Sequence, residues 1–279
     1  MLHSVPSIAE PDEAALPFLK WAGGKRWLTE ELCQLIGPIN GRYIEPFLGG
    51  GAVFFALKPA QAQLSDVNTE LINTYRAIQA QYRAVERHLI THQLLHSKEY
   101  YYQIRADKPT GMAKRAARFI YLNRTCWNGL YRVNLSGAFN VPIGTKNTVI
   151  SADDDFEKLS QILGCAQISA NDFEHSIESA GFGDVIFCDP PYTVRHNNNG
   201  FIKYNEDLFL WRDQIRLRDC LVRAKERGSR IFVTNADHDS IRELYSEHFH
   251  ILDCERFSPI GGQHAKRGKY SELLICSHL

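Results

Sequence analysis

The chain lacks an excess of charge. Among 279 residues, Lys+Arg and Asp+Glu both number 32, so nothing chain-wide advertises nucleic acid and any basic surface must be local. It also lacks paired cysteine motifs. Seven cysteines stand at 33, 126, 165, 188, 220, 254 and 276, with no Cys-x-x-Cys spacing and no nearby histidine at zinc-ligand spacing. The odd count and the missing signal-peptide pattern predict reduced thiols in a cytoplasmic protein without a metal centre. No apolar run approaches the ~20 residues of a membrane span. The first sixteen residues carry Pro6, Pro11, Asp12 and Glu13 and no basic n-region, and read as a loose tail.

What is present is a sizeable core, with 44 % hydrophobic residues. Strand-like runs recur at 42–45, 63–66, 184–188, 230–233, 251–254 and 272–276, with helical patterns at 25–35, 69–79, 207–227 and 240–247. This rhythm predicts an α/β fold with a doubly wound, mostly parallel sheet. It breaks between Tyr82 and Thr145, where basic helical segments lead into an Asn-, Gly- and Arg-rich stretch. The expected division is a tail over 1–16, a catalytic domain over 17–80 and 165–279, and a mainly helical insertion over 81–164.

The most informative motif is Asp189-Pro190-Pro191-Tyr192, directly after the apolar run Asp184 to Cys188. The prolines end the strand and leave a carboxylate, a rigid carbonyl and an aromatic ring at its carboxyl end. In open α/β sheets ligands bind at that edge. An acceptor side chain, an acceptor carbonyl and a stacking face suit a planar ring bearing an amine. Glu45-Pro46-Phe47-Leu48-Gly49-Gly50-Gly51 follows another strand and precedes an apolar helix, so backbone amides could approach a ligand closely. It is neither a P-loop nor a complete dinucleotide fingerprint. Asp66 ends the next strand, where an acidic residue accepts from ribose hydroxyls, although a helix cap explains it as well. Asn171-Asp172-Phe173 fits either an adenine contact or a cap, and Pro17 to Lys25 fits a ligand lid.

Taken in order, Phe18-Leu19-Lys20-Trp21-Ala22-Gly23-Gly24-Lys25, Glu45-Pro46-Phe47, Leu122-Asn123-Arg124, Asn128-Gly129-Leu130-Tyr131-Arg132, Phe139-Asn140-Val141-Pro142 and Asp189-Pro190-Pro191-Tyr192 resemble the Dam-type DNA adenine-N6 methyltransferases. The resemblance spans about Pro17 to Cys276. It implies a seven-stranded methyltransferase sheet and S-adenosylmethionine as cofactor. Trp21, Gly24 and Lys25 would flank that cofactor, Glu45, Phe47 and Gly49 would line its methionine side, and Asp66 would meet the ribose. Asp172 and Phe173 would meet the adenine, and Asp189 would stand at the methyl. The target adenine would be flipped out of double-stranded DNA and stack on Tyr192, with Asp189 and the Pro190 carbonyl accepting its N6 protons. Phe201 and Tyr204 would complete the base pocket. The loop from Thr193 to Lys203 would close over base or DNA, with His196 as a polar residue near phosphate. A monomer on DNA is the default expectation, and pairing with a restriction endonuclease stands open beside a stand-alone or phage-borne role.

Lys114, Arg115, Arg118, Arg124 and Arg132 fall within nineteen residues that contain no Asp or Glu, a local basic patch expected to meet phosphates. By resemblance, Lys20, Arg124, Trp127, Asn128, Leu130, Arg132 and Pro142 read or intercalate into the target, with GATC the leading site and Arg132 the guanine reader. The chain departs from the family at Gly144-Thr145-Lys146, where Gly-Arg-Tyr is usual, which opens the outer bases to change. His264 to Lys269 adds a second basic segment. The catalytic tetrapeptide alone also fits methylation of cytosine N4 or of RNA adenine, and a catalytically silent DNA-binding module is the reading from another class.

Overall fold

Val185-Ile186-Phe187-Cys188 is apolar at every position because its strand is covered on both faces. Val185 and Phe187 enter one hydrophobic cluster, Ile186 and Cys188 the other, as the period of two requires. The computed structural model describes residues 16–129, 131–134, 137–194, 209–257 and 269–278. Residues 1–15 of the expected tail, Leu130, the loop from Arg195 and the segment His264 to Gly268 lie outside the described residues, as do Phe201 and Tyr204.

Seven strands form one sheet: β1 Tyr43–Glu45, β2 Ala62–Asp66, β3 Ala166–Ala170, β4 Val185–Cys188, β5 Arg230–Ala236, β6 His250–Phe257 and β7 Lys269–Cys276. Their order is β3-β2-β1-β4-β5-β7-β6, parallel from β3 to β5, with β7 antiparallel to both neighbours. One face carries α1 Thr29–Ile36, α2 Ala52–Leu57 and α3 Thr69–Leu95. The other carries α7 Phe173–Glu178, α8 Trp211–Glu226 and α9 Asp239–Tyr245. The fold is the expected doubly wound α/β sheet. β3 is a strand that the apolar runs did not indicate: its sequence Ala-Gln-Ile-Ser-Ala is small and polar because it lies at the sheet edge.

After β1 the chain winds toward β2 and β3, then returns to lay β4 on the other side of β1. That reversal opens a crevice at the carboxyl ends of β1 and β4, where Glu45 and Asp189 stand.

Asn68 caps α3 by accepting from the amides of Glu70 and Leu71 at 3.1 and 3.0 Å. The helix kinks at Gln81 (φ −143°, ψ 30°) and runs on into the insertion, where α4 Lys98–Ala106 and α5 Met112–Thr125 join it. α5 packs along α3, and the insertion's Ile120, Tyr121 and Val149 share one core with Tyr43, Leu64 and Phe187 of the sheet. α6 Phe156–Leu163 packs back on α3. Gln79 donates to the carbonyls of Leu163 and Ala166 at 2.7 and 2.9 Å, which ties α6 and β3 to that helix.

Candidate active site

The glycine turn after β1 is shaped by what lies on it. Gly49 has φ +45°, and a Cβ there would come within 2.7 Å of the Trp21 indole. Its amide donates to Asp66 Oδ2 at 3.2 Å, and its carbonyl accepts from the Tyr75 hydroxyl at 3.0 Å. Asp66 Oδ1 accepts from the Asn68 amide at 2.9 Å. Trp21, Glu45, Gly49 and Asp66 thus converge at the ends of β1 and β2. Phe47 stacks on Phe173 with centroids 5.4 Å apart.

The second wall is β4. Asp189 Oδ1 lies 2.8 Å from Lys25 Nζ and accepts from the Thr234 hydroxyl at 2.7 Å. Lys25, with its side chain 2 % exposed, also donates to the Gly23 carbonyl at 2.6 Å and lies 3.5 Å from Glu272 Oε2. Its ammonium sits 4.9 Å from the centre of the Tyr192 ring, whose hydroxyl donates to Glu272 at 2.7 Å. Burial raises the Asp189 carboxyl above its ordinary value, opposed by Lys25 and Thr234. Glu45, fully buried, accepts from the Tyr43 hydroxyl at 2.9 Å, and desolvation pushes its carboxyl up to about 8. Asp189 and Asp66 add to that rise.

Glu45, Asp66 and Asp189 gather at the carboxyl ends of β1, β2 and β4, and Lys25 bonds to Asp189 and Glu272 among the described residues. Such a crevice suits a ligand that brings its own positive charge. Asp189 holds a nitrogen donor at amine distance already, in the form of the lysine ammonium.

Thr234 and Glu272 were missed by sequence reasoning. Register places them: Cys188 pairs with Val233, which sets Thr234 beside Asp189, and Ala236 pairs with Glu272. The available signal was that both lie at the ends of expected strands.

Two residues expected at the cofactor already have partners within the protein. Asp172 caps α7 by accepting from the Glu174 amide at 3.0 Å, and both its oxygens bind Arg216 at 2.8 and 2.9 Å. Phe173 is 3 % exposed, with Phe47 stacked on it and the Arg216 guanidinium 4.2 Å from its centre. The Gly24 amide donates to the Trp21 carbonyl at 3.2 Å, and Lys25 bonds to Asp189 and Glu272.

The expected DNA residues divide. Trp127, Asn128, Arg132 and Pro142 are exposed and brought together by antiparallel bridges, Cys126 with Ile143 and Val133 with Phe139. The Trp127 amide donates to the Pro142 carbonyl at 2.9 Å. Lys20 joins them because Asn123 clamps its amide and carbonyl at 2.9 and 2.8 Å. Arg124 must be corrected. Its guanidinium is buried, ion-paired with Asp154 and bonded to the carbonyls of Phe18 and Val149 at 2.8 and 2.7 Å, so it cannot meet DNA. The basic window is corrected with it: Arg115 pairs with Glu70 at 2.5 Å, and Arg118 donates to the carbonyls of Ile104 and Arg105.

A family model for the D12 class N6 adenine-specific DNA methyltransferases matches residues 21–260. The chain belongs to that family. This D12-class methyltransferase is 36 % identical over 271 residues to the type II methyltransferase M1.LlaDCHI of Lactococcus lactis subsp. cremoris, covering 94 % of this chain and 95 % of that one. It is 33 % identical over 288 residues to the type II methyltransferase M.MjaIII of Methanocaldococcus jannaschii, covering 94 % and 99 %. To the DNA adenine methylase of Escherichia coli K12 it is 30 % identical over 263 residues, covering 92 % and 93 %. It is an adenine-specific DNA methyltransferase, and the cytosine and RNA readings fall away. Among the described residues no helix is long and apolar enough to cross a membrane.

Proposed function

We propose that this D12-class enzyme takes its methyl group from S-adenosylmethionine and places it on N6 of an adenine flipped out of double-stranded DNA, within GATC. The observation that carries the reading is the Asp189 acceptor at the sheet's switch point, with a nitrogen donor already 2.8 Å from it. The cofactor supplies an electrophilic methyl group on a sulfonium. The fit to this chain lies in the carboxylate-rich crevice, above all in Glu45, which is fully buried and has no cationic partner of its own among the contacts described. Trp21, Gly24, Glu45, Phe47, Gly49 and Asp66 would hold it.

Asp189 and the Pro190 carbonyl accept the two N6 protons, which directs the nitrogen lone pair away from them. Tyr192 holds the ring. Lys25 and Thr234 both hold Oδ1 of Asp189, which leaves Oδ2 to accept from the amine. Preorganised acceptors stabilise the positive charge that grows on N6. Arg132, Lys20, Trp127, Asn128 and Pro142 face the DNA. We place the enzyme in the cytoplasm as a monomer on its DNA and, in view of the type II names of its relatives, beside a restriction endonuclease. Mapping methylated adenines in a random duplex library tests the target: GATC is expected, and adenines confined to another motif would overturn that site.

Glu45 provides a pH prediction. With its carboxyl at about 8 it is protonated at neutral pH. A sulfonium or ammonium beside it favours the carboxylate, so cofactor binding releases a proton, and affinity rises with pH until about 8 and then levels. Calorimetry at pH 7 in buffers of different ionisation enthalpy should show this release, and Glu45→Gln should abolish it. A binding enthalpy that is the same in all buffers contradicts the role.

A further inference from the structure

Where the chain departs from its family, it places Lys146 beside Lys20. The two lysines line a cavity of about 260 Å³ with Cys126, Asn128, Gly129 and Thr145. Three chain segments build it. Lys20 is clamped at its backbone by Asn123 at 2.9 and 2.8 Å, and its stem lies over Gly129, where a Cβ would come within 2.8 Å of Lys20 Cδ. The Gly144 amide donates to the Thr125 carbonyl at 2.8 Å, which fixes the strand leading to Thr145 and Lys146. Asn128 is held at φ +56° between this cavity and exposed Trp127.

We propose that Lys20 and Lys146 form a paired-ammonium pocket that reads one guanine of the target site, with Lys146 a specificity-determining residue. The inference rests on the reading that this face meets DNA. Two ammoniums offer donors and no acceptor. In the major groove only guanine presents two adjacent acceptors, O6 and N7. Adenine sets an amino donor next to N7, cytosine presents an amino donor, and thymine follows O4 with a methyl. The pocket adjoins Trp127 and Pro142, on the face expected to meet base edges.

The charge state agrees. Burial and the contact with Lys146 lower the Lys20 ammonium to about 8. The charged and titratable groups facing it are Lys146, Arg124 and the Cys126 thiol. Arg124 is neutralised by Asp154, and burial pushes the Cys126 thiol up to about 11. An acceptor edge favours the protonated form of Lys20, so the preference for guanine weakens as pH rises through about 8.

The test measures methyl-transfer kcat/KM for wild type, Lys146→Met and Lys146→Arg. The substrates are duplexes with each base pair exchanged, 7-deazaguanine at each guanine, or methylphosphonate at each flanking phosphate. Lys146→Met should lose about tenfold on the natural target. It should lose almost nothing further when 7-deazaguanine replaces one particular guanine, the signature of coupled groups. Lys146→Arg should restore most of the discrimination. Equal loss on every duplex with a shallower salt dependence, coupling to a methylphosphonate instead, or no loss at all would overturn guanine reading by Lys146. Failure of the wild type to methylate any duplex would instead defeat the underlying functional reading.

Discussion

Asp189→Ala is expected to lower methyl transfer by at least about 10²–10³-fold, the scale of removing a preorganised group that acts on developing charge. One Asp189 oxygen binds both Lys25 and Thr234, and in the proposed mechanism the carboxylate accepts from the amine. Alanine leaves N6 without its principal acceptor and without a guide for its lone pair. The fold should survive, because the buried Lys25 ammonium keeps the Gly23 carbonyl at 2.6 Å and has Glu272 at 3.5 Å. Asp189→Asn should lose less, since its amide retains one acceptor oxygen. Single-turnover transfer with labelled methyl donor, alongside a melting curve, separates chemistry from stability. Near-normal turnover in a folded Asp189→Ala protein would remove Asp189 from the mechanism.

Arg124→Ala carries the largest expected effect on stability. The guanidinium is bonded to the carboxylate of Asp154 and to the carbonyls of Phe18 and Val149. Asp154's side chain is 9 % exposed, so alanine leaves a nearly buried carboxylate without its cation. Breaking one partner of a buried pair costs about 3–5 kcal/mol. For a chain of this size that lowers the melting temperature by roughly 10 °C. Denaturant unfolding checks the magnitude. The salt dependence of DNA binding should be unchanged, because Arg124 touches no phosphate. The opposite pattern, unaltered stability with a shallower salt slope, would return Arg124 to the DNA-contact set.

The contrast between those residues shows what a sequence can disclose. Asp189 was legible because its chemistry is local: an apolar run, a proline stop and an aromatic ring are contiguous, and the strand's two buried faces explain the run. Arg124 was not, because its partner is thirty positions away, in a segment with no motif. Counting charges over a window assumes that neighbours in sequence are neighbours in space. Glu70 and Asp154 defeat that assumption by reaching the basic helix from outside the window. Thr234 and Glu272 were hidden for a related reason, since strand register rather than spacing brings them to Asp189. β3 escaped because an edge strand needs little apolar surface, and its place was visible only once β2 stood next to it. Asp172 was ambiguous between ligand contact and cap, and the structure makes it a cap and an ion-pair partner.

The central claim is that the Asp189 cluster presents an adenine N6 to the methyl donor. Its most direct test incubates the protein with methyl-labelled S-adenosylmethionine and duplex DNA, digests the DNA to nucleosides and identifies the labelled one. The account predicts label in N6-methyladenine with the wild type and at least about a hundredfold less with Asp189→Ala. Label in N4-methylcytosine, or equal label in N6-methyladenine from both proteins, would contradict it.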